Sequence, residues 1–130
     1  MSTFTSTIII NKPVTEIYNF LADMNNHQQL MPPNISDWSS TVDTANFNIQ
    51  NMAKISLRVD SRTPNYQIVI APTQTPPFPI KLLWQLYDDG DNTKITYTIT
   101  AELNMMMKMM ASGPLQKLAD HEIKSLAALF

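Results

Sequence analysis

The sequence predicts an α+β fold in which one long C-terminal helix covers an antiparallel sheet of seven strands, within a single domain over residues 1–130. Two observations carry this prediction. From Trp38 to Leu103, apolar and polar residues alternate with a period of two, which is typical of strands with one buried and one wet face. From Asn104 to Phe130, apolar residues recur at helical spacing instead, and only this segment is long enough to cover a whole sheet.

One strand and two short helices precede the main run of strands. The first strand is predicted at Thr3–Ile10, where large apolar residues alternate mostly with threonines. Pro13 stands where a helix can begin without losing an amide hydrogen bond, and apolar residues follow it at helical spacing. Asn25–His27 is predicted as a break before a second helical turn at Gln28–Met31, which Pro32-Pro33 ends.

Six further strands follow, joined mostly by hairpin-length connections rich in turn-forming residues, which favours an antiparallel meander. The longest connection, Pro72–Pro79, is rich in proline and is a stiff linker or one lip of a cavity. The six strands are predicted at Trp38–Asp43, Ala45–Gln50, Ala53–Arg62, Tyr66–Ala71, Ile80–Tyr87 and Lys94–Leu103.

The C-terminal segment has one apolar face and one predicted interruption. Glu122 is the charged residue that helical spacing places within the apolar arc, where it either faces a wet cavity or lies solvated at the rim. Gly113-Pro114 predicts a kink or break, because proline lacks an amide hydrogen and crowds the preceding turn. The methionine-rich stretch Met105–Met110 before it is a flexible gate or a plug over the sheet.

Composition excludes several classes of function. The chain has no cysteine, which rules out disulfides, thiolate catalysis and Cys-ligated metals, and its two glycines cannot supply a glycine-rich phosphate loop. A net charge of -2 with scattered basic residues argues against nucleic acid. The absence of cysteine fits a reducing compartment, so a cytoplasmic protein is expected, and the opening MSTFTSTIII resembles neither a signal peptide nor a membrane span.

Catalytic and metal-binding patterns are missing from the sequence. His27 and His121 have no carboxylate or second histidine at ligand spacing, so both are expected at the surface. Serines and threonines are plentiful, yet none stands in a GxSxG motif. We therefore predict no catalytic residue, no metal and no cofactor.

The order of elements resembles that of the START-like, or SRPBCC, superfamily, which includes polyketide cyclases, lipid-transfer domains and the birch pollen allergen. The resemblance is carried by IIINKPVTEIYNFLADMNNHQQLMPPNISDW, FNIQNMAKISLRV and ITYTITAELNMMMKMMASGPLQKLADHEIKSL, and covers nearly the whole chain. It implies the helix-grip fold, with a deep cavity between the helix and a curved sheet. It does not imply a substrate, because such domains bind very different ligands.

The predicted function is therefore binding of a small apolar or amphipathic molecule in that cavity. The alternatives are a polyketide-cyclase-like enzyme, with Tyr97, Tyr66 or Glu122 assisting proton transfer, and a protein-interaction module with a vestigial cavity. Ordinary core packing is the competing interpretation of each apolar candidate. The predicted ligand-binding residues are Trp38, Phe47, Ile55, Leu57, Tyr66, Ile68, Trp84, Tyr97, Ile99, Met109, Leu118 and Glu122.

Overall fold

The computed structural model describes residues 1–50, 53–73 and 78–130. Its strands form one seven-stranded antiparallel sheet in the order β1-β7-β6-β5-β4-β3-β2, so the first strand lies beside the last. This arrangement, with the long C-terminal helix, confirms the predicted α+β helix-grip fold. The strands are β1 Ser2–Ile10, β2 Ile35–Ser40, β3 Thr44–Ile49, β4 Ala53–Thr63, β5 Gln67–Pro72, β6 Ile80–Asp89 and β7 Asn92–Ala101.

Two short helices connect the opposite edges of the sheet. Helix α1 (Val14–Leu21) follows β1, and a 3₁₀ helix (Met24–Leu30) leads to β2 at the far edge. A 3₁₀ helix has three residues per turn, so residues three apart lie in one column along it. Met24, His27 and Leu30 form such a column, and all three are buried. The prediction that His27 lies at the surface is therefore wrong.

Helix α2 (Met105–Leu129) runs unbroken through Gly113-Pro114, so the predicted break does not occur there, while the predicted kink stays a prediction. The Asn104 side chain caps its first turn, with Oδ1 accepting a hydrogen bond of 2.8 Å from the Met107 amide. Pro114 removes one helical hydrogen bond, but it is exposed, so water can reach the carbonyl that loses its partner. Buried Ala111 and Leu115 hold the helix on either side of this point.

A bulge in β4 changes which face its later residues occupy. Val59 pairs with Ile70, and after the register shift Arg62 pairs with Ile68. Directly paired residues share a face, and both isoleucines are buried, so the bulge turns Arg62 towards the helical side. Without it, Arg62 would continue the exposed row formed by Arg58 and Asp60.

The proline-rich connection, predicted as a stiff linker or a cavity lip, falls partly outside the described residues, since residues 74–77 are not among them. At its described ends, Thr73 is exposed and Phe78 is buried. None of the helices in the described ranges is long and apolar enough to cross a membrane.

Candidate functional site

An interior cavity lies between α2, the 3₁₀ helix and the inner face of the sheet. Its free volume is about 20 Å³, which is room for one water molecule. Only three of its described side chains carry ionisable or hydroxyl groups: His27, Tyr97 and Glu122. The described residues that line it are Met24, His27, Met31, Trp38, Phe47, Leu57, Ile70, Leu82, Tyr97, Leu118 and Glu122.

Glu122 is the buried carboxyl group of this cavity. Its side chain projects from α2 and is 2% exposed. Burial raises the pKa of Glu122 to about 8, although a hydrogen bond with the Tyr97 side chain opposes that rise. Burial and the neighbouring carboxyl together raise the pKa of Tyr97 well above its ordinary value. At neutral pH the pair is therefore mostly uncharged, and it can both donate and accept hydrogen bonds.

His27 adds a third polar group to the lining of the cavity. Its Nε2 lies 2.7 Å from the Leu21 carbonyl oxygen, and because a carbonyl can only accept, Nε2 carries the hydrogen and donates. Burial lowers the pKa of His27, which keeps the ring neutral and leaves Nδ1 as an acceptor. The end of α1 thus fixes both the tautomer and the orientation of this ring.

Trp84 supports two of the polar residues from behind. Its ring stacks on Tyr97 with centroids 4.0 Å apart and meets His27 nearly edge-on at 6.0 Å. The side chain is fully buried, and its Nε1 has no hydrogen-bond partner within the described residues. An unpaired buried donor lowers the stability of the fold. At Trp84 the packing of the buried ring therefore stabilises the core by more than the missing hydrogen bond costs.

A second aromatic pair, Trp38 and Phe47, lines the cavity. Trp38 from β2 stacks on Phe47 from β3, with centroids 5.4 Å apart and rings 12° from parallel. Trp38 Nε1 donates to the Ser40 hydroxyl at 3.0 Å, and that hydroxyl donates to the Asn25 side chain at 2.7 Å. Unlike Trp84, this indole is satisfied, so its polar edge is fixed by the protein.

A surface groove of about 400 Å³ adjoins the cavity. Leu118 lines both spaces, and within the described residues it is the one side chain that does so. Met31 lines the cavity, and its neighbour Pro32 lines the groove. The residues that line the groove are Pro32, Asn34, Pro114, Lys117, Leu118 and His121.

The structure brings half of the predicted ligand-binding residues to the cavity. Another four are buried in the core without lining it. Those at the cavity are Trp38, Phe47, Leu57, Tyr97, Leu118 and Glu122. Those in the surrounding core are Ile55, Ile68, Trp84 and Ile99.

Tyr66 and Met109 need correction, because neither points inward. Tyr66 is 47% exposed, since β5 begins only at Gln67 and Tyr66 closes the preceding turn, its amide bonding to the Thr63 carbonyl at 3.0 Å. Met109 is 84% exposed, because the first turns of α2 bury Ala111 and leave most of the methionines on the solvent side.

Cavity residues from the 3₁₀ helix and its end were not among the predicted ligand-binding residues. Met24, His27 and Met31 line the cavity, but the sequence predicts a break followed by a helical turn in this segment. The available signal was the spacing of three between Met24, His27 and Leu30, which matches a 3₁₀ helix rather than an α-helix. No group of acidic or histidine side chains within the described ranges is arranged to hold a metal ion.

Known proteins resemble this chain in structure rather than in sequence. No family model matches it, and no curated protein matches it. A START superfamily protein from Mycobacterium smegmatis superposes with a TM-score of 0.71 at 16% identity, over 97% of this chain and 94% of that one. The Aha1 dimer from Colwellia psychrerythraea gives 0.67 at 17% identity, over 98% and 94%. A protein from Thermus thermophilus gives 0.78 at 12% identity, over 98% and 95%. The protein therefore has the START-like helix-grip fold.

Proposed function

We propose that the protein binds a small amphipathic molecule in its interior cavity, with the polar end of the molecule against Tyr97 and Glu122. The observation that carries the proposal is the burial of the ionisable pair Tyr97 and Glu122 in a chamber whose other lining is apolar except for His27. A buried carboxyl without a charged partner destabilises a fold by several kcal/mol or takes up a proton. Residues in such environments are concentrated at functional sites.

Three polar groups converge on one small space and offer complementary hydrogen-bonding roles. Protonated Glu122 and Tyr97 each carry a hydroxyl hydrogen, and His27 contributes an acceptor through Nδ1. The remaining lining is apolar. A ligand with one hydrogen-bonding end and an apolar body, such as an alcohol, ketone or carboxylic acid, matches this distribution.

Binding requires the cavity to widen, because about 20 Å³ holds only a water molecule and ligand sites are commonly some 300–1,000 Å³. The helical side of the lining is suited to this change. Met24 and Met31 are unbranched thioethers that adopt many rotamers, and Leu118 is only partly buried. Displacement of Leu118 would join the cavity to the 400 Å³ groove, giving a space of ordinary ligand size.

Native mass spectrometry of the protein purified without denaturant from its own host tests the proposal. We expect a retained small molecule, and N-phenyl-1-naphthylamine should bind the emptied protein with one site per chain. Tyr97→Phe should weaken the binding of this probe, whereas Tyr66→Phe should not, because Tyr66 is exposed outside the cavity. Apo protein that binds no apolar probe would overturn the proposal.

A second candidate is acid–base catalysis on such a ligand, as in the polyketide-cyclase alternative. The observation in its favour is the Glu122 pKa of about 8, because a general acid is most useful when its pKa lies near the working pH. Turnover of a candidate polyketide should be lost in Tyr97→Phe and kept in Tyr66→Phe. Equal turnover in both variants would exclude a role of Tyr97 in the reaction.

A further inference from the structure

The groove outside Leu118 differs in chemistry from the cavity inside it. Helical spacing places Leu118 and Glu122 one turn apart on the inner side of α2, while Pro114, Lys117 and His121 lie along the adjacent outer strip. Lys117 brings a positive charge to the groove, and His121 and Asn34 bring hydrogen-bonding side chains. None of the described residues lining the groove is acidic.

From this arrangement we infer that the groove is part of the ligand site and selects an anionic group, which Lys117 holds outside while the apolar body passes Leu118 into the cavity. The ligand class is then an apolar small molecule with a carboxylate, sulfonate or phosphate at its outer end and a hydrogen-bonding group at its inner end. This inference rests on the proposed function and adds the charge of the ligand to it.

The charge distribution agrees with this assignment. An anion deep in the cavity would be removed from water with no lysine or arginine among the described lining residues, whereas an anion in the groove meets Lys117 in reach of water. Leu118 lines both spaces and therefore lies between the two positions. Because the Lys117 side chain is exposed, salt should screen its attraction to an anion.

Two dyes that share one ring system test the inference: 8-anilinonaphthalene-1-sulfonate, which is anionic, and N-phenyl-1-naphthylamine, which is neutral. We expect Lys117→Gln to weaken binding of the anionic dye roughly fivefold at low salt and to leave the neutral dye unchanged. Lys124→Gln is the matched control, because Lys124 is an exposed lysine of the same helix that does not line the groove. Leu118→Ala should speed association of both dyes.

The outcomes separate the two proposals. Binding of the neutral dye with no effect of Lys117→Gln on the anionic dye would overturn the anion preference and leave the interior ligand site standing. Equal losses in Lys117→Gln and Lys124→Gln would assign the effect to overall charge and would also overturn it. Failure of both dyes to bind would overturn the inference together with the proposed function.

Discussion

The surroundings of Arg62 and those of Glu122 show two opposite uses of an ionisable side chain. The Arg62 guanidinium donates to the Ala22 carbonyl from Nη2 at 2.7 Å and from Nε at 3.0 Å, and to the Val42 carbonyl at 3.0 Å. It also reaches the Asp43 carboxylate at 2.8 Å. Glu122 has the Tyr97 side chain as its hydrogen-bond partner and otherwise mainly apolar surroundings.

The difference separates a structural cluster from a candidate site. Arg62 joins the end of α1 to the β2–β3 turn, and each of its bonds holds two chain segments together. Glu122 is not needed to hold α2 in place, because its apolar neighbours Ala119, Ile123 and Leu126 are already buried on the same helix. The hydrogen bonds of Arg62 explain its presence through the stability of the fold. Glu122 has few partners and gives no comparable stability, so its presence points to a different role.

Trp84→Ala should give the largest loss of stability, about 3–5 kcal/mol, because the indole is fully buried and the nearby cavity is too small to relieve the loss of contacts. Chemical denaturation measures this free energy of unfolding. Trp84→Phe is the control and should cost much less, since it keeps a ring beside Tyr97 and removes the unpaired Nε1 donor. A loss of under about 1 kcal/mol for Trp84→Ala would mean that the Trp84 ring is not packed against its neighbours as described.

Arg62→Met should destabilise the fold by about 2–3 kcal/mol, because it removes charge-assisted hydrogen bonds while keeping most of the side-chain volume. The Arg62 side chain is 29% exposed, so water can partly replace these bonds, which limits the loss. Arg58→Met on the same strand is the control, since the Arg58–Asp60 pair is exposed and 3.6 Å apart. It should change the free energy of unfolding by less than about 0.5 kcal/mol. Equal losses of stability in Arg62→Met and Arg58→Met would show that Arg62 stabilises the fold no more than a surface arginine does.

Stability should fall by about 1 kcal/mol between pH 7 and pH 8 through Glu122 alone. The pKa of Glu122 is about 8 in the folded protein and near 4.5 when unfolded, so in this window the folded state holds a proton that the unfolded state has released. Raising the pH therefore favours unfolding until the pH exceeds the folded pKa. His27, whose pKa is lowered, acts in the opposite direction below its ordinary value of 6.5 and contributes little here.

Denaturation of Glu122→Gln across the same range checks this pH dependence, because glutamine cannot ionise. We expect the variant to lack the fall that the wild type shows. Glu102→Gln is the control at an exposed position and should keep it. A wild type and a Glu122→Gln variant with parallel pH profiles would show that Glu122 is not a buried, protonated carboxyl.

The fold was predictable because it follows from periodicity, which is a property of single segments. Periodicity predicts the buried face of a segment without information on what packs against that face. It does so through the alternation of Ile95, Tyr97 and Ile99 in a strand and the helical spacing of Leu115, Ala119 and Ile123. Glu122 was singled out for the same reason, as a charge inside an apolar arc.

Features that depend on one irregular residue or on pairs distant in sequence were not predictable. The bulge that turns Arg62 inward depends on the pairing of β4 with β5, and no local residue signals it. His27 was expected at the surface because Asn25–His27 was predicted as a break and no metal-ligand spacing surrounds this histidine, so the period of three from Met24 to Leu30 was not recognised. The groove was missed because Pro32 and Lys117 are far apart in sequence and meet only when α2 crosses the end of the 3₁₀ helix.

The double variant Tyr97→Phe/Glu122→Leu tests most directly whether the interior pair serves a ligand rather than the fold. It replaces both hydrogen-bonding partners with apolar groups, so no buried polar atom of the pair is left unpaired. Its free energy of unfolding and its affinity for N-phenyl-1-naphthylamine, or for a ligand recovered from the host, are measured together. We predict a stability equal to or above that of the wild type, a weaker affinity for the dye, and an affinity for a recovered ligand reduced about tenfold or more, equivalent to about 1.4 kcal/mol. A loss of stability above about 1 kcal/mol with unchanged affinity would contradict the account and assign the pair to the fold.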